Sequence, residues 1–211
     1  MIGGVVPLAA PAPRFRLQPP PFRAWLRTVV AFAARRSDEA SVLARAQAGD
    51  HHAFAEIVFR HDEKLRGLAF RLLGDRDRMD DVLQEAYVRA FRALPKFKGT
   101  SSLATWLYRI TYNACIDDLR RRPEQPALSD DRLAAEPSSL PDPSEVATSR
   151  HDLAAALATL PVDQRAAVLL VDAYGFDYAE AAEVLGVRSG TIASRLNRAR
   201  TALRRVLGDA A

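Results

Sequence analysis

Cysteine is all but absent. Cys115 is the only one in 211 residues, which excludes an internal disulfide and any all-cysteine zinc cluster. So few thiols suit a reducing cytosol, and a cytoplasmic location is expected. Long apolar runs are missing too: the run Thr28 to Ala34 is far short of the roughly 20 residues that span a membrane. It follows arginines, as a signal-peptide core does, but Arg35-Arg36 stands where a small-residue cleavage site belongs. There is no phosphate-loop glycine pattern, no nucleophile elbow and no strand-type alternation. Histidines number four. On a helix, the adjacent His51 and His52 point about 100° apart and form no i, i+4 ligand pair. His61, beside Asp62 and Glu63, completes no ligand set. Cys115, near Ile110 on an apolar helix face, reads as a packed small residue. No metal, no cofactor and no enzymatic activity are expected.

What is present is helical and unevenly charged. With 48% hydrophobic and 27% charged residues, the chain has the composition of a soluble globular protein of one medium or two small domains. Its net charge of +4 keeps nucleic acid or an acidic partner in play. Met1 to Arg36 holds six arginines, six prolines and no acid, a basic irregular arm over residues 1–37. Pro123 to Arg150 holds five prolines and six acids against two arginines. Residues 123–150 therefore read as a flexible acidic linker between helical blocks at 38–122 and 151–211.

In the first block, Val42, Leu43 and Ala46, then Phe54, Ile57 and Val58, then Leu65, Leu68, Ala69, Leu72 and Leu73 recur at three- and four-residue spacing. Gly49 and Gly74 stand where helices stop, and Asp50 can cap the next one. Further helices are predicted from about Asp77 to Leu94, ended by Pro95, and from Leu103 to Arg122 after a loop. The second block begins with an apolar stripe of Leu153, Ala156, Leu157 and Leu160, and Pro161 opens the next helix. Asp177 can cap a short helix carrying Ala181, Ala182 and Leu185, and Gly186-Val187 makes a tight turn. Ser189 can cap a second helix carrying Ile192 and Leu196. This is helix-turn-helix spacing: Ala182 lets the helices cross closely, and Val187, Ile192 and Leu196 form their shared core. That last helix holds Arg188, Arg195, Arg198, Arg200, Arg204 and Arg205 with no acid among them, a composition suited to phosphates flanking a major groove. The fold class is all-α: two small helical domains joined by a flexible linker, the second containing the helix-turn-helix.

Three motifs in this order, Asp81-Val-Leu-Gln84-Glu85-Ala-Tyr, Thr105-Trp-Leu-Tyr-Arg-Ile-Thr-Tyr-Asn113 and Gly186-Val-Arg-Ser-Gly-Thr-Ile, resemble those of bacterial sigma factors. The resemblance is to the two-domain extracytoplasmic-function group, of the actinobacterial sigma factor M type, and covers about Asp38 to Leu207. It implies partners: core RNA polymerase, promoter DNA and an anti-sigma factor. An obligate homo-oligomer is not expected. In the family, the helix bearing Asp-x-x-Gln-Glu docks on a coiled coil of the largest polymerase subunits. The residues here are Asp81, Gln84 and Glu85, which share one helix face at i, i+3 and i+4. Val82 and Tyr87 are expected toward the core.

The resemblance also assigns minus-ten recognition, in which a base of the melted strand is flipped into a loop-lined pocket. The matching loop residues are Gly99, Thr100, Ser101, Ser102, Leu103 and Ala104, and Lys98 beside them would neutralise phosphate. Asn113 matches the asparagine that contacts the flipped base, and Lys96, Arg120, Arg121 and Arg122 would neutralise phosphate. Trp106 is taken as structural. In the upstream minus-thirty-five reading, Arg188, Ser189, Thr191, Ser194, Arg195, Asn197, Arg198 and Arg200 match. Ala193 departs from the family, which often has a basic residue there. The alternative is a free-standing helix-turn-helix regulator with a helical sensor or dimer domain. It leaves the Asp81, Gln84, Glu85 face without a task, and no apolar stripe is reserved for dimerisation.

Overall fold

The computed structural model describes residues 39–122 and 152–208. The basic arm at 1–37 and the acidic linker at 123–150 lie outside the described residues, as does the helix expected from Phe22 to Ala34. Every regular element among the described residues is helical.

Short polar side chains start the helices of the first block and glycine or proline ends them. Helix α1 (Glu39–Gln47) turns through Gly49 into α2 (His51–Leu73), whose N-cap Asp50 accepts from the backbone N–H groups of His52 and Ala53. Gly74 ends α2 in the left-handed region at φ 69°, a conformation costly for any residue with a Cβ. Asp75 then caps α3 (Arg76–Ala93), accepting from Asp77 and Arg78 N–H groups. Pro95 closes α3 in a 3₁₀ turn, Leu94–Lys96. Ser102 caps α4 (Leu103–Arg121). The apolar column of α2 (Leu65, Leu68, Ala69 and Leu72) is buried against its neighbours, as are Val82 and Tyr87 of α3 and Trp106 and Cys115 of α4. Truncating such side chains to alanine typically costs about 2–5 kcal/mol.

The second block comprises α5 (residues 152–158), α6 (Val162–Val168), a π-helical turn (Leu169–Ala173), α7 (Tyr178–Leu185) and α8 (Ser189–Leu207). Two details differ from the sequence reading. Leu153 is 46% exposed, because the short α5 turns only Ala156 and Leu157 inward. Ser189 is the first helical residue rather than the cap; Arg188 holds the extended cap position, and no side chain caps α8. The helix-turn-helix itself forms as read. Asp177 and Glu180 make a reciprocal capping box at the start of α7, and Gly186 turns the chain at φ 65°. Ala182, Ile192 and Leu196 are buried beneath it, with Val187 packed at the edge.

The blocks are not separate in space. Helix α4 packs along α7, and a single buried apolar cluster runs through both blocks.

Candidate nucleic-acid and partner interfaces

Helices α3 and α4 are cross-braced by ion pairs, and this bracing sets the geometry of the first candidate faces. Arg78, at the start of α3, donates from Nε (2.9 Å) and Nη2 (2.6 Å) to Asp118 Oδ2 near the end of α4. Both side chains are only 6% exposed. A buried pair of this kind contributes little net stability, but removing one partner strands the other charge. Further out, Arg89 donates to Glu85 (2.6 Å) and Asp117 (2.8 Å), and Arg121 reaches Glu85 at 3.2 Å. These bonds, Arg89's foremost, hold the Glu85 carboxyl below the usual carboxylate range against a smaller opposing effect of burial.

Of the trio expected to meet a partner, Asp81 and Gln84 are exposed on α3. Asp81 has no hydrogen bond or ion pair among the described residues. Glu85 is half-buried and already committed to two arginines. Tyr87 points inward, its hydroxyl donating to Asp62 at 2.7 Å, and burial pushes its phenol well above the usual range.

The loop before α4 is held at both ends. Gln47 of α1 donates to the carbonyls of Phe97 (2.8 Å) and Leu94 (3.3 Å), and the Phe97 ring lies against Trp106 at 5.1 Å between centroids. Trp106 is thereby structural. Ser102 Oγ accepts from Thr105 N–H at 3.0 Å while hydrogen-bonding Thr105 Oγ1 at 2.7 Å. Between these anchors Lys98, Gly99, Thr100 and Ser102 are exposed and Ser101 is half-exposed, whereas Leu103 is buried and Ala104 partly so. Leu103 therefore supports the loop from beneath. Asn113 is exposed on α4 between buried Tyr112 and Ala114, and Arg120, Arg121 and Arg122 are exposed at its end. Arg122 lies 3.7 Å from Asp118.

The arginines of α8 divide into two sets. Arg195 is turned to the body, its Nε 3.0 Å from Asp163 and its side chain 18% exposed. Arg200 is bidentate to Asp172, at 2.6 and 3.2 Å. Asp172 occupies one edge of the Arg200 guanidinium, whereas Arg195 is turned away from solvent with its Nη1 buried and without a partner. Arg188, Arg198, Arg204 and Arg205 are exposed and have no ion pair among the described residues. With Ser189, Ala193, Ser194 and Asn197 they make one outward face, and Thr191 is half-buried at its border. Ser194 Oγ donates back to the Thr191 carbonyl at 2.9 Å, so its hydroxyl has only acceptor capacity to offer outward.

Comparison with known proteins decides what this arrangement belongs to. Residues 57–124 match the family model for sigma-70 region 2, and residues 150–203 match that for sigma-70 region 4. The extracytoplasmic-function (ECF) RNA polymerase sigma factor SigM of Mycobacterium tuberculosis strain H37Rv is 40% identical over 175 residues, covering 82% of this chain and 86% of that relative. The chain is an ECF member of the sigma-70 family. This sigma factor is also 35% identical over 170 residues to the ECF RNA polymerase sigma-E factor of Escherichia coli strain K12, covering 75% and 88% of the two chains. Among solved structures it is similar to the sigma factor RpoE of Bartonella quintana, co-crystallised with the anti-sigma factor NepR (TM-score 0.63, 28% identity, 75% of this chain and 98% of that one). It is likewise similar to CnrH in complex with the cytosolic domain of CnrY (TM-score 0.61, 26% identity, 81% and 97%). The family consists of transcription initiation factors rather than enzymes. No helix among the described residues is long and apolar enough to cross a membrane.

Sequence reasoning missed the residues that hold this sigma factor's faces in place. Arg78 and Asp118 are forty residues apart and carry no local signature. Arg165, 7% exposed, carries little local signature either. Only its position at the head of the apolar run Ala166 to Val171 could have flagged it as buried.

Proposed function

We propose that this sigma factor binds core RNA polymerase, in the cytoplasm, and directs it to promoters with two separated elements. Asp81 and Gln84 on α3 offer a carboxylate and an amide to arginines of a partner coiled coil. Glu85, held by Arg89 and Arg121, orients that face and contributes its remaining acceptor capacity. The exposed loop from Lys98 to Ser102, backed by Leu103 and Ala104, receives a base flipped from the melted minus-ten strand. Asn113 reads that base, its amide both donating and accepting. Arg120, Arg121 and Arg122 neutralise the strand's phosphates.

The upstream element is read in the major groove by α8. Asn197 suits adenine and Arg198 suits guanine or phosphate, with Arg188 and Ser189 at the helix start and Arg204 and Arg205 along the backbone. With a methyl group at Ala193, base contact there is restricted to apolar touch. An anti-sigma partner, of the kind seen with the structurally similar RpoE, is expected to hold the factor inactive.

The observation that carries this reading is that every face it needs is solvent-exposed, while the intervening residues are committed to internal pairs. Core polymerase with the added chain should start transcripts at discrete positions on a genomic fragment library. Start sites unchanged from those of core enzyme alone would contradict it. Asn113→Ala should lower open-complex formation more than polymerase binding; equal losses would remove the base-reading role.

A further inference from the structure

The loop before α4 is supported unequally at its two ends. Downstream it runs into α4, whose N-cap Ser102 accepts from Thr105 N–H, the ordinary local closure of a helix start. Upstream the chain leaves the 3₁₀ turn at Phe97 with extended backbone, φ −68° and ψ 118°. That turn closes on itself once, Phe97 N–H donating to the Leu94 carbonyl at 3.0 Å. The Phe97 carbonyl, the last before Lys98, is taken up from a distant part of the chain. Gln47 Nε2 reaches it at 2.8 Å and the Leu94 carbonyl at 3.3 Å, across 50 and 47 residues of sequence. Two carbonyls thus converge on one primary amide, the end of a glutamine that donates, and its two hydrogens can serve both.

The arm that carries this amide is itself fixed. Gln47 is the last residue of α1, in which Val42 and Ala46 are buried. Behind it the Ala48, Gly49 and Asp50 N–H groups close onto the Ala44, Ala46 and Arg45 carbonyls, and Arg45 Nε pairs with Asp50 at 3.0 Å. On the far side the Phe97 ring rests on Trp106, which is buried in α4. The entry to the loop is therefore held from two directions, by an amide from α1 and by a ring from α4. Beyond it Lys98, Gly99 and Thr100 are exposed, and Gly99 turns the chain at φ 69°.

A pocket for a flipped base needs its walls in place before the base arrives, because ordering a loop during capture subtracts from the affinity gained. Exposed glycine and hydroxyl residues have little apolar contact with which to order themselves, so the way the loop's ends are held sets its shape. We infer that Gln47 is a positioning residue for minus-ten capture: without touching a base, it fixes the loop in a base-accepting shape through the Phe97 and Leu94 carbonyls. This rests on the base-capture reading above. Gln47→Met keeps the length and the helix propensity of the side chain but donates nothing, and Gln47→Glu keeps the shape while setting an acceptor against two acceptors.

Two readouts separate the loop from the reaction. Because the sole cysteine, Cys115, is buried, a nitroxide at Ser101→Cys reports loop motion in the free full chain. Gln47→Met and Gln47→Glu should each sharpen its spectrum, with far-UV helicity and co-elution with polymerase retained. The second readout uses a promoter recovered by start-site mapping, with each base placed in turn at every minus-ten position. On these templates Gln47→Met, in the chain without the label, should reduce the parent's base preference about fivefold, the worth of one net hydrogen bond. Mere loss of stability would lower initiation on all templates alike. Unchanged spectra in both variants overturn the positioning role, as do uniform losses or a sharpened spectrum with base preference intact. No base preference in the parent, or a preference that Asn113→Ala leaves untouched, overturns the base-capture reading and the role in capture with it; the nitroxide spectra then still decide whether Gln47 holds the loop.

Discussion

Helices α3 and α8 carry the candidate partner faces, and they distribute their charges differently. On α3 four charges are paired within the molecule: Arg78 with Asp118, Arg89 with Glu85 and Asp117, and Asp80 with Arg66. Asp81 and Gln84 are left outward. On α8 the commitment is partial. Arg195 and Arg200 brace the helix against Asp163 and Asp172, and four other arginines face solvent. On the proposed function, the α3 face for a protein helix is a small polar spot on a braced surface, whereas the α8 face for a phosphate backbone is a broad field of uncommitted cations. Formal charge along the chain does not reveal this division; exposure and pairing do.

The comparison can be broken most forcefully at its brace. Arg78→Met strands Asp118 in a buried site and should cost about 3–5 kcal/mol, measured as a lowered urea midpoint. Arg78→Met combined with Asp118→Leu should recover most of that loss, because an apolar pair replaces the ion pair without a stranded charge. Next in size, Asp81→Arg should weaken polymerase binding at least tenfold, about 1.4 kcal/mol, with the melting transition unchanged. Glu85→Gln should weaken it far less, since that carboxylate is occupied internally. If Glu85→Gln proves the more damaging, the division drawn on α3 is wrong.

On α8 the contrast is sharper still. Arg198→Ala should lower affinity for upstream-element DNA and reduce the salt slope by about 1, the signature of a lost phosphate contact. Arg195→Ala should shift the unfolding midpoint and leave the slope alone. Matching slopes for the two variants would erase the distinction between bracing and reading arginines. Removing the capping box with Asp177→Ala should cost about 1 kcal/mol by denaturation, through α7 alone.

The smallest effect is titratable. Because Glu85's carboxyl is held below its unfolded value, its contribution is complete above the usual carboxylate pKa. It is lost as pH falls through the lowered folded value. Glu85→Gln should flatten that part of the acid limb of stability against pH, and an unchanged limb would mean the arginines do not hold it.

Local rules made the helices legible. Asp50 and Asp177 cap where short acids should, and Gly74 and Gly186 turn where positive φ is required. The helix-turn-helix could be read because its turn, its small crossing residue and its buried Ile192 and Leu196 lie within a few residues of one another. Long-range pairing was not legible: Arg78 finds Asp118 and Arg195 finds Asp163 only once helices have packed, and no periodicity records the partner. The same limit hid the contact of Tyr174 with Gly67, a mid-helix glycine whose reason lies over one hundred residues away. Ser189 shows a smaller failure, since a residue of good capping type sat one position inside the helix that Arg188 begins.

The most direct measurement mixes the purified full chain with bacterial core RNA polymerase and follows both by size exclusion. The account predicts co-elution at submicromolar concentration, abolished by Asp81→Arg in a folded protein. A folded chain free of co-purified inhibitor that elutes apart from polymerase, or an Asp81→Arg variant that co-elutes as well as the parent, would contradict it.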